Sequence, residues 1–252
     1  MSGIVGIIPA RWSSTRFPGK PLHAIAGKPL LQHVWENCRR ARALDSVIIA
    51  TDDMRIAEAA FGWGAEVSLT SADHRSGTDR IAEVAKKLRG VSHVINIQGD
   101  EPLVDPKLID RLVHKMRRDP RIEMITAVHR FADPADAQST HQVKAVLDRK
   151  GRALYFSRAA IPCPRDEAMP IRYFRHQGIY GYRRATLLRF VRWKPSPLEK
   201  AEALEQLRAL ENGVNIHVVV TQSGSPGVDT PDDARAIERQ LLAAARRPPR
   251  AR

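Results

Sequence analysis

The run Ile4-Val5-Gly6-Ile7-Ile8 is short, apolar and β-branched, and it is typical of a strand that is buried on both faces. Segments of helical period separate it from later runs, and their apolar stripes begin at Leu30, Ile56, Ile81 and Leu108. The later strand-like runs are Ser46–Thr51, Ala65–Leu69, His93–Ile97 and Met124–Val128. This alternation predicts an α/β fold built from βαβ units around a mostly parallel sheet.

The alternation loosens from about Pro134. The patterns that follow indicate strands at Lys144–Leu147, Leu154–Phe156 and Gly178–Tyr182, helices at Thr186–Trp193 and Pro197–Glu211, a strand at Ile216–Thr221 and a last helix from Thr230 to about Ala245. We therefore expect one domain over residues 1–245, with a smaller β-rich lobe inserted at roughly 134–211. Residues 246–252 contain arginine, alanine and proline without periodicity, and we expect a basic disordered tail there.

Length and composition indicate a globular enzyme-sized protein: 252 residues, 43% hydrophobic and 27% charged. Pro9 ends the first apolar run after a few residues, so we expect neither a signal peptide nor a membrane span, and a cytoplasmic location. The two cysteines, Cys38 and Cys163, provide neither a disulfide framework nor a metal-ligand spacing. We expect both thiols to be unpaired.

The formal net charge of +13 raises the alternative of a nucleic-acid-binding protein. However, the positive charge is dispersed, four of the arginines fall in the tail, and no helix-turn-helix, zinc-finger or RNA-binding signature accompanies it. We expect an anionic small substrate as the partner, with no specific nucleic acid and no membrane.

The segment after the first strand is expected to bind phosphate. In open α/β sheets ligands bind at the carboxyl ends of the strands. This segment reads Pro9-Ala10-Arg11-Trp12-Ser13-Ser14-Thr15-Arg16-Phe17-Pro18-Gly19-Lys20-Pro21-Leu22. Its guanidinium groups, its ammonium group and its small residues suit a triphosphate. The Walker spacing is absent, and the alternative interpretation is a solvated basic loop.

Two acids are candidate magnesium ligands. Asp100 follows the strand pattern His93–Ile97, and Asp229 precedes the last helix, so both can reach one crevice. Mg²⁺ prefers a few carboxylate oxygens together with substrate phosphates and waters. For Asp229 the simpler alternative is an acid beside a helix N-terminus.

A third segment, Ser76-Gly77-Thr78, lies between a strand pattern and a helix pattern. Hydroxyl and backbone groups there could bind the polar edge of a pyrimidine. Taken alone, the segment is more typical of a plain helix cap.

These motifs, taken together, resemble those of the 3-deoxy-manno-octulosonate cytidylyltransferases, also called CMP-KDO synthetases. The resemblance covers nearly the whole chain up to the tail. Its other motifs are Thr51-Asp52-Asp53, Asp73 to Arg80, Gln98-Gly99-Asp100-Glu101-Pro102, Tyr155 to Arg158, His176 to Tyr182, Pro195 to Glu199, Leu204 to Arg208 and Gly227 to Pro231.

The resemblance implies a Rossmann-like nucleotidyltransferase fold, a homodimer formed by the smaller lobe, and Mg²⁺ as cofactor. The implied reaction joins CTP to 3-deoxy-D-manno-octulosonate (KDO), giving CMP-KDO and pyrophosphate for lipopolysaccharide biosynthesis. The implied catalytic residues are Arg11, Lys20, Asp100 and Asp229, the last two also being the metal ligands. The implied CTP-binding residues are Ala10, Arg11, Ser14, Arg16, Lys20, Ser76, Gly77, Thr78 and Arg80. The implied sugar-binding residues are Gln98, Arg158, His176, Tyr180, Glu205 and Gln206.

Other functions stay open at this point. A cytidylyltransferase for an amino analogue of KDO could differ in a single pocket residue. A sialic-acid enzyme normally departs from Arg16-Phe17-Pro18-Gly19-Lys20, which favours KDO. A binding protein without activity would lack phosphate cations or metal carboxylates, and none is missing here. His176, taken alone, is more typical of a structural histidine than of a ligand-binding one.

Overall fold

The computed structural model describes residues 3–13, 17–166, 169 and 171–245. Its strands are β1 (Gly3–Ala10), β2 (Ala24–Ile25), β3 (Lys28–Pro29), β4 (Ser46–Thr51), β5 (Glu66–Leu69), β6 (Val91–Asn96), β7 (Met124–Arg130), β8 (Lys144–Leu147), β9 (Ala153–Ser157), β10 (Phe174–Arg183) and β11 (Ile216–Thr221). Its helices are α1 (Leu30–Arg40), α2 (Met54–Gly62), α3 (Gly77–Lys87), α4 (Pro106–Arg118), α5 (Arg184–Phe190), α6 (Pro197–Glu202), α7 (Leu207–Glu211) and α8 (Pro231–Ala245). Short 3-10 turns cover Lys20–Leu22 and Pro134–Gln138.

One central sheet organises the chain, and its order is β11-β7-β10-β6-β1-β4-β5. β1 pairs in parallel with β4 and β6, β4 with β5, and β7 with β11. β10 runs antiparallel between β6 and β7, so those two strands still point the same way. The prediction of a mostly parallel sheet in an α/β fold is therefore confirmed.

The sheet is covered on both faces, as its continuous apolar strands require. One core packs α1, α2, α4 and α8 against the sheet through side chains such as Leu31, Ile109 and Ile237. The other core packs α3, α5 and α7 through side chains such as Ile81 and Phe190. A cleft remains between these layers at the carboxyl ends of β1 and β6.

The segment predicted as an inserted lobe, residues 134–211, is continuous with the sheet. β8 pairs with β9 and with the first residues of β10, while the rest of β10 lies inside the central sheet. The division into one domain, a lobe and a tail stays a prediction, and the tail lies outside the described residues.

The single helix predicted over Pro197–Glu211 is wrong. The helix ends at Glu202, and Ala203 adopts left-handed backbone angles (φ 51°) before α7 begins at Leu207. An L residue rarely takes this conformation, so the surrounding contacts have to maintain it. Arg208, which is almost fully buried, turns back to pair with Glu199 through both ends of its guanidinium group.

Gly181 lies where β10 packs closely against β7 and α4. A Cβ at this position would lie 2.7 Å from both Ile125 Cγ2 and Met116 Sδ. Gly181→Ala is expected to lower the free energy of unfolding by about 1–3 kcal/mol, because an extra methyl group overpacks the core. Urea denaturation measures this. The matched control is Gly62→Ala at the end of α2, where nothing lies within 4 Å and a gain of up to ~1 kcal/mol is expected. Equal effects of the two changes would contradict the packing argument.

Candidate active site

A cleft of about 670 Å³ opens at the carboxyl ends of β1 and β6. It brings together residues from four distant segments of the chain: the loop after β1, the start of α3 with the residues before it, the turn after β6 and the segment just before α8. The residues that line it are Pro9, Ala10, Arg11, Trp12, Ser13, Pro18, Lys20, Pro21, His74, Ser76, Gly77, Arg80, Gln98, Gly99, Asp100 and Asp229.

Lys20 lies where the two predicted metal ligands converge. Its Nζ donates to Asp100 Oδ2 at 2.8 Å and to the carbonyl oxygen of Val228 at 2.8 Å. The same nitrogen lies 3.6 Å from Asp229 Oδ1. Asp100 and Asp229, which are 129 positions apart in the sequence, therefore share one cation. The sequence predicted that both reach one crevice, because Asp100 follows a strand and Asp229 precedes the last helix.

Tight backbone contacts bring the two sides of the cleft together. A Cβ at Gly99 would lie 2.8 Å from the carbonyl oxygen of Pro9, so only glycine lets the turn after β6 approach the end of β1 so closely. Gly19 has left-handed angles (φ 70°) and directs the chain into the turn that carries Lys20. These two glycines set the separation between Lys20 and Asp100.

Trp12, in the loop after β1, contacts Arg55, and sequence reasoning missed this pair. Arg55 Cζ lies 3.6 Å from the centroid of the Trp12 ring, a distance typical of a cation-π contact. Asp53 fixes the guanidinium through contacts of 2.9 and 2.6 Å, and Trp12 in turn packs under Gly19. An aromatic residue between cations, with an Asp-x-Arg segment elsewhere, is too weak a signal to predict such a contact.

The start of α3 forms the opposite wall. Ser76 is the N-cap of α3 and accepts a hydrogen bond from the backbone of Asp79, so the plain helix-cap interpretation is confirmed. Arg80 is almost fully buried, lies 3.1 Å from Asp52 Oδ1 and donates to Thr70 Oγ1 at 2.5 Å. Arg80 nevertheless reaches the cleft lining. Ser76 and Gly77 line it as well, so the capping role leaves base recognition open.

A buried polar cluster lies behind this wall. Thr78 donates to Glu205 Oε2 at 2.5 Å, which connects α3 to the segment between α6 and α7. Burial raises the pKa of Glu205, while its bonds to Thr78 and Ser76 oppose that shift. Tyr180 Oη and Gln206 Nε2 are buried and have no hydrogen-bond partner among the residues that the structure describes. Buried polar groups normally find partners, so these two atoms are available to a polar ligand.

Three other predicted sugar-binding residues have contacts of their own. His176 packs against Phe156 and Tyr180, and its Nε2 lies 3.0 Å from Thr126 Oγ1. Burial lowers the pKa of His176 to about 3. Gln98 lines the cleft and donates to the carbonyl oxygen of Gly178 at 3.2 Å. Arg158 donates from Nε to the carbonyl oxygen of Glu202 at 2.8 Å. Because its pKa is so low, the His176 ring is neutral.

Two predicted CTP-binding residues, Ser14 and Arg16, lie outside the described residues. For the others, the structure places Ala10, Arg11, Lys20, Ser76, Gly77 and Arg80 in one cleft and Thr78 just behind it. Their individual roles stay predictions.

Glu101, the acid next to Asp100, is expected to make the stability of the protein depend on pH. Burial and the charge of Asp100 raise the pKa of Glu101 from 4.5 to about 8. Between these two values the folded chain keeps a proton that the unfolded chain loses, so the contribution of Glu101 to stability falls as pH rises. In EDTA, the wild type is expected to lose stability relative to Glu101→Gln between about pH 5 and about pH 8.

Urea unfolding of both proteins across this range measures the difference. Glu58→Gln on the exposed face of α2 is the matched control for the loss of one carboxylate. A stability difference between the wild type and Glu101→Gln that stays constant across this pH range would contradict the raised pKa of Glu101.

The residues in the cleft suit a magnesium ion only in combination with substrate phosphates. Among the described residues, no group of three or more His, Cys, Asp or Glu side chains is placed to hold a metal. Asp100 and Asp229 approach one cation together, and Mg²⁺ commonly takes one or two carboxylates and completes its shell with phosphates and waters. The donor set therefore fits Mg²⁺ held jointly with a nucleotide.

Comparison with known proteins agrees with this geometry. Residues 5–216 match the sequence model of the family described as Cytidylyltransferase. A 3-deoxy-manno-octulosonate cytidylyltransferase from Solibacter usitatus is 50% identical over 240 residues, which cover 95% of each chain. One from Geobacter sulfurreducens is 47% identical over 94% of this chain and 99% of its own. This chain belongs to the 3-deoxy-manno-octulosonate cytidylyltransferase family.

The family prediction is thus confirmed, and the chain is a nucleotidyltransferase. A solved structure of CMP:2-keto-3-deoxy-manno-octonic acid synthetase complexed with CTP is 41% identical, with a TM-score of 0.93 over 96% of this chain and all of that one. A cytidylyltransferase from Leptospira borgpetersenii shares the fold alone, at 17% identity and a TM-score of 0.66. None of the helices within the described ranges has the length and apolar character needed to span a bilayer.

Proposed function

We propose that this chain transfers the cytidylyl group of CTP to KDO, releasing pyrophosphate. The observation that carries the proposal is the convergence of Lys20, Asp100 and Asp229 in a cleft that Arg11 also lines. In this reaction the anomeric hydroxyl of the sugar acid forms a bond to the α-phosphorus as the bond to pyrophosphate breaks. Such transfers depend mainly on positioning and charge neutralisation, which are what cations and carboxylates at this spacing provide.

Each side of the cleft has its own task. Arg11 and Lys20 would bind the phosphates, with Lys20 at the reacting phosphate, because its ammonium group lies next to both acids. Asp100 and Asp229 would hold Mg²⁺, which supplies neutralisation of the phosphate charge when it is bound. Ser76, Gly77 and the buried Arg80 would recognise the cytosine edge from the opposite wall.

The sugar acid would bind between the cleft and the buried polar cluster. Gln98 lies in the cleft, and the hydroxyl of Tyr180 and the amide nitrogen of Gln206 are buried donors without partners in the described part of the chain. KDO carries many hydroxyl groups that such atoms can bind, and unmet polar groups of this kind discriminate strongly between ligands. Arg158, His176 and Glu205 would complete this half of the site.

The deciding experiment incubates the protein with Mg²⁺, one nucleotide and one keto sugar acid at a time, and measures pyrophosphate release. We expect CTP with KDO to give the highest turnover, CTP with an amino analogue or a sialic acid to give less, and ATP or GTP to give little. Comparable turnover with ATP would exclude the assignment of the base-binding wall. Turnover only with a sialic acid would exclude KDO as the substrate.

Gln206 offers a selective test of the sugar half. Gln206→Ala is expected to raise KM for KDO about tenfold while leaving KM for CTP unchanged, because a buried hydrogen bond to the sugar is lost. Initial rates at saturating CTP, and then at saturating KDO, separate the two constants. Gln240→Ala on the exposed face of α8 is the matched control. A rise in KM for CTP alone would place Gln206 in the nucleotide site instead.

We also infer a homodimer and a cytoplasmic location. Leu154 on β9 and Leu198 on α6 are 60% and 40% exposed, which supports an apolar contact on the predicted lobe. Cys38 and Cys163 are both free, and the exposed thiol of Cys163 suits a reducing compartment. The product would then serve lipopolysaccharide biosynthesis. Light scattering after size-exclusion chromatography tests the dimer.

A further inference from the structure

A second cleft, larger than the first, lies along the outer edge of the sheet. Its volume is about 1040 Å³, and it runs beside β11 from Asn215 to Val220, with α4 and the turn around Lys150 as its walls. Three strands, β7, β10 and β6, separate β11 from β1. At about 4.8 Å per strand, this groove lies roughly 19 Å from the strand that begins the catalytic cleft.

The groove has a large excess of positive charge. It contains the acids Asp119 and Glu123 and two histidines, His114 and His217. Both acids are already engaged: Asp119 accepts from Arg121 at 2.9 Å, and Glu123 accepts from Arg189 at 2.8 Å. The lysines and arginines that line the groove are Arg111, Lys115, Arg118, Arg121, Lys150 and Arg152.

Several of these cations are held in place by the protein. Lys115 Nζ donates to the carbonyl oxygen of Val218 at 2.9 Å, and Arg111 Nη2 donates to that of Val220 at 2.7 Å. Arg152 is fixed by Asp148 at 2.7 Å. These bonds use only part of the donor capacity of each group, so preorganised N–H groups remain for a ligand.

The positive charges in the groove also repel each other. Burial and the neighbouring Arg111 lower the pKa of Lys115, and burial and Lys115 lower the pKa of His217. Asp119 raises the pKa of both groups. Arg152 lowers the pKa of His217, and Asp148 raises it. A bound anion would relieve the remaining repulsion.

We propose that this groove binds a compact, multiply charged phosphate compound, with inorganic tripolyphosphate as its simplest representative. Guanidinium and ammonium groups are the side chains that bind phosphate oxygens best. No Phe, Tyr or Trp is found among the described residues that line the groove, so apart from the imidazole rings of His114 and His217 it lacks the stacking surface on which single-stranded nucleic acids depend. Its volume is that of a small-molecule site. The proposal is independent of the reaction in the catalytic cleft.

The test is a calorimetric titration of the full chain with tripolyphosphate, in EDTA and at constant ionic strength. We expect two classes of site in the wild type, one in each cleft. The double change Arg118→Glu with Lys150→Glu reverses two exposed charges in the groove and should weaken one class by about tenfold or more. Lys20→Ala should weaken the other class.

The matched control reverses one arginine and one lysine outside the groove, Arg89→Glu with Lys194→Glu, both exposed. It changes the net charge equally, and both classes should survive in it. Turnover of CTP by the groove variant should stay within about twofold of the wild type, which shows that it folds.

Three results would overturn the proposal. The first is a single class of site that only Lys20→Ala removes. The second is equal weakening by the groove pair and the control pair, which would mean a response to net charge alone. The third is binding of RNA or of anionic phospholipid vesicles that the groove pair abolishes, without any binding of tripolyphosphate.

Discussion

Lys20→Ala is expected to lower kcat/KM for CTP by about a thousandfold, or ~4 kcal/mol of transition-state stabilisation. The lost ammonium group is the one that lies 2.8 Å from Asp100 and 3.6 Å from Asp229, so its removal also leaves two carboxylates facing each other. Steady-state rates of pyrophosphate release at saturating KDO measure the effect.

Lys28→Ala is the matched control for this change. Lys28 pairs with Glu36 at 2.8 Å on the surface of the protein, and such pairs contribute little. Its kcat/KM should stay within about twofold of the wild type. If Lys20→Ala retained a tenth or more of the wild-type value, the phosphate would have to be bound elsewhere in the cleft.

The second large effect concerns the acid pair. Asp100→Asn and Asp229→Asn are each expected to lower kcat by about a hundredfold to a thousandfold, because each removes a charge that would hold Mg²⁺ against the phosphates. The Mg²⁺ concentration that gives half-maximal rate should rise in both variants. The double variant should be little worse than either single one, since groups that act as a unit are not additive.

Asp232→Asn provides the control for the acid pair. Asp232 lies in the first turn of α8, three residues after Asp229, and its side chain is 85% exposed. It should show neither the loss of rate nor the shift in Mg²⁺ dependence. An unchanged Mg²⁺ requirement in Asp100→Asn and Asp229→Asn would mean that the acids act through Lys20 alone.

Local patterns predicted most of the elements that surround the cleft. β4, β8 and β11 have the bounds that their apolar runs indicated, and the last helix begins one residue after the predicted start. Apolar periodicity is a local property, so it can be read from a short window. The loop cations and the two acids were predictable for a related reason, because parallel strands end at the same edge of a sheet.

The interruption at Ala203 and the position of β10 were not predictable in this way. Helical period continues through Ala203, and only contacts with distant residues select its left-handed angles. β10 pairs with β6 and β7, which precede it by many residues, and nothing in its own sequence specifies an antiparallel place between them. The contact of Trp12 with Arg55 likewise depends on how two loops are placed in space.

The hydrogen bond from Thr78 to Glu205 has a consequence for how the two substrates communicate. It joins residues 127 positions apart and connects the wall expected to read the base to the cluster expected to hold the sugar acid. A nucleotide that breaks this hydrogen bond would remove one of the interactions that oppose the raised pKa of Glu205. Thermodynamic linkage makes such an effect reciprocal, so whatever factor CTP imposes on the affinity for the sugar acid, the sugar acid imposes on the affinity for CTP.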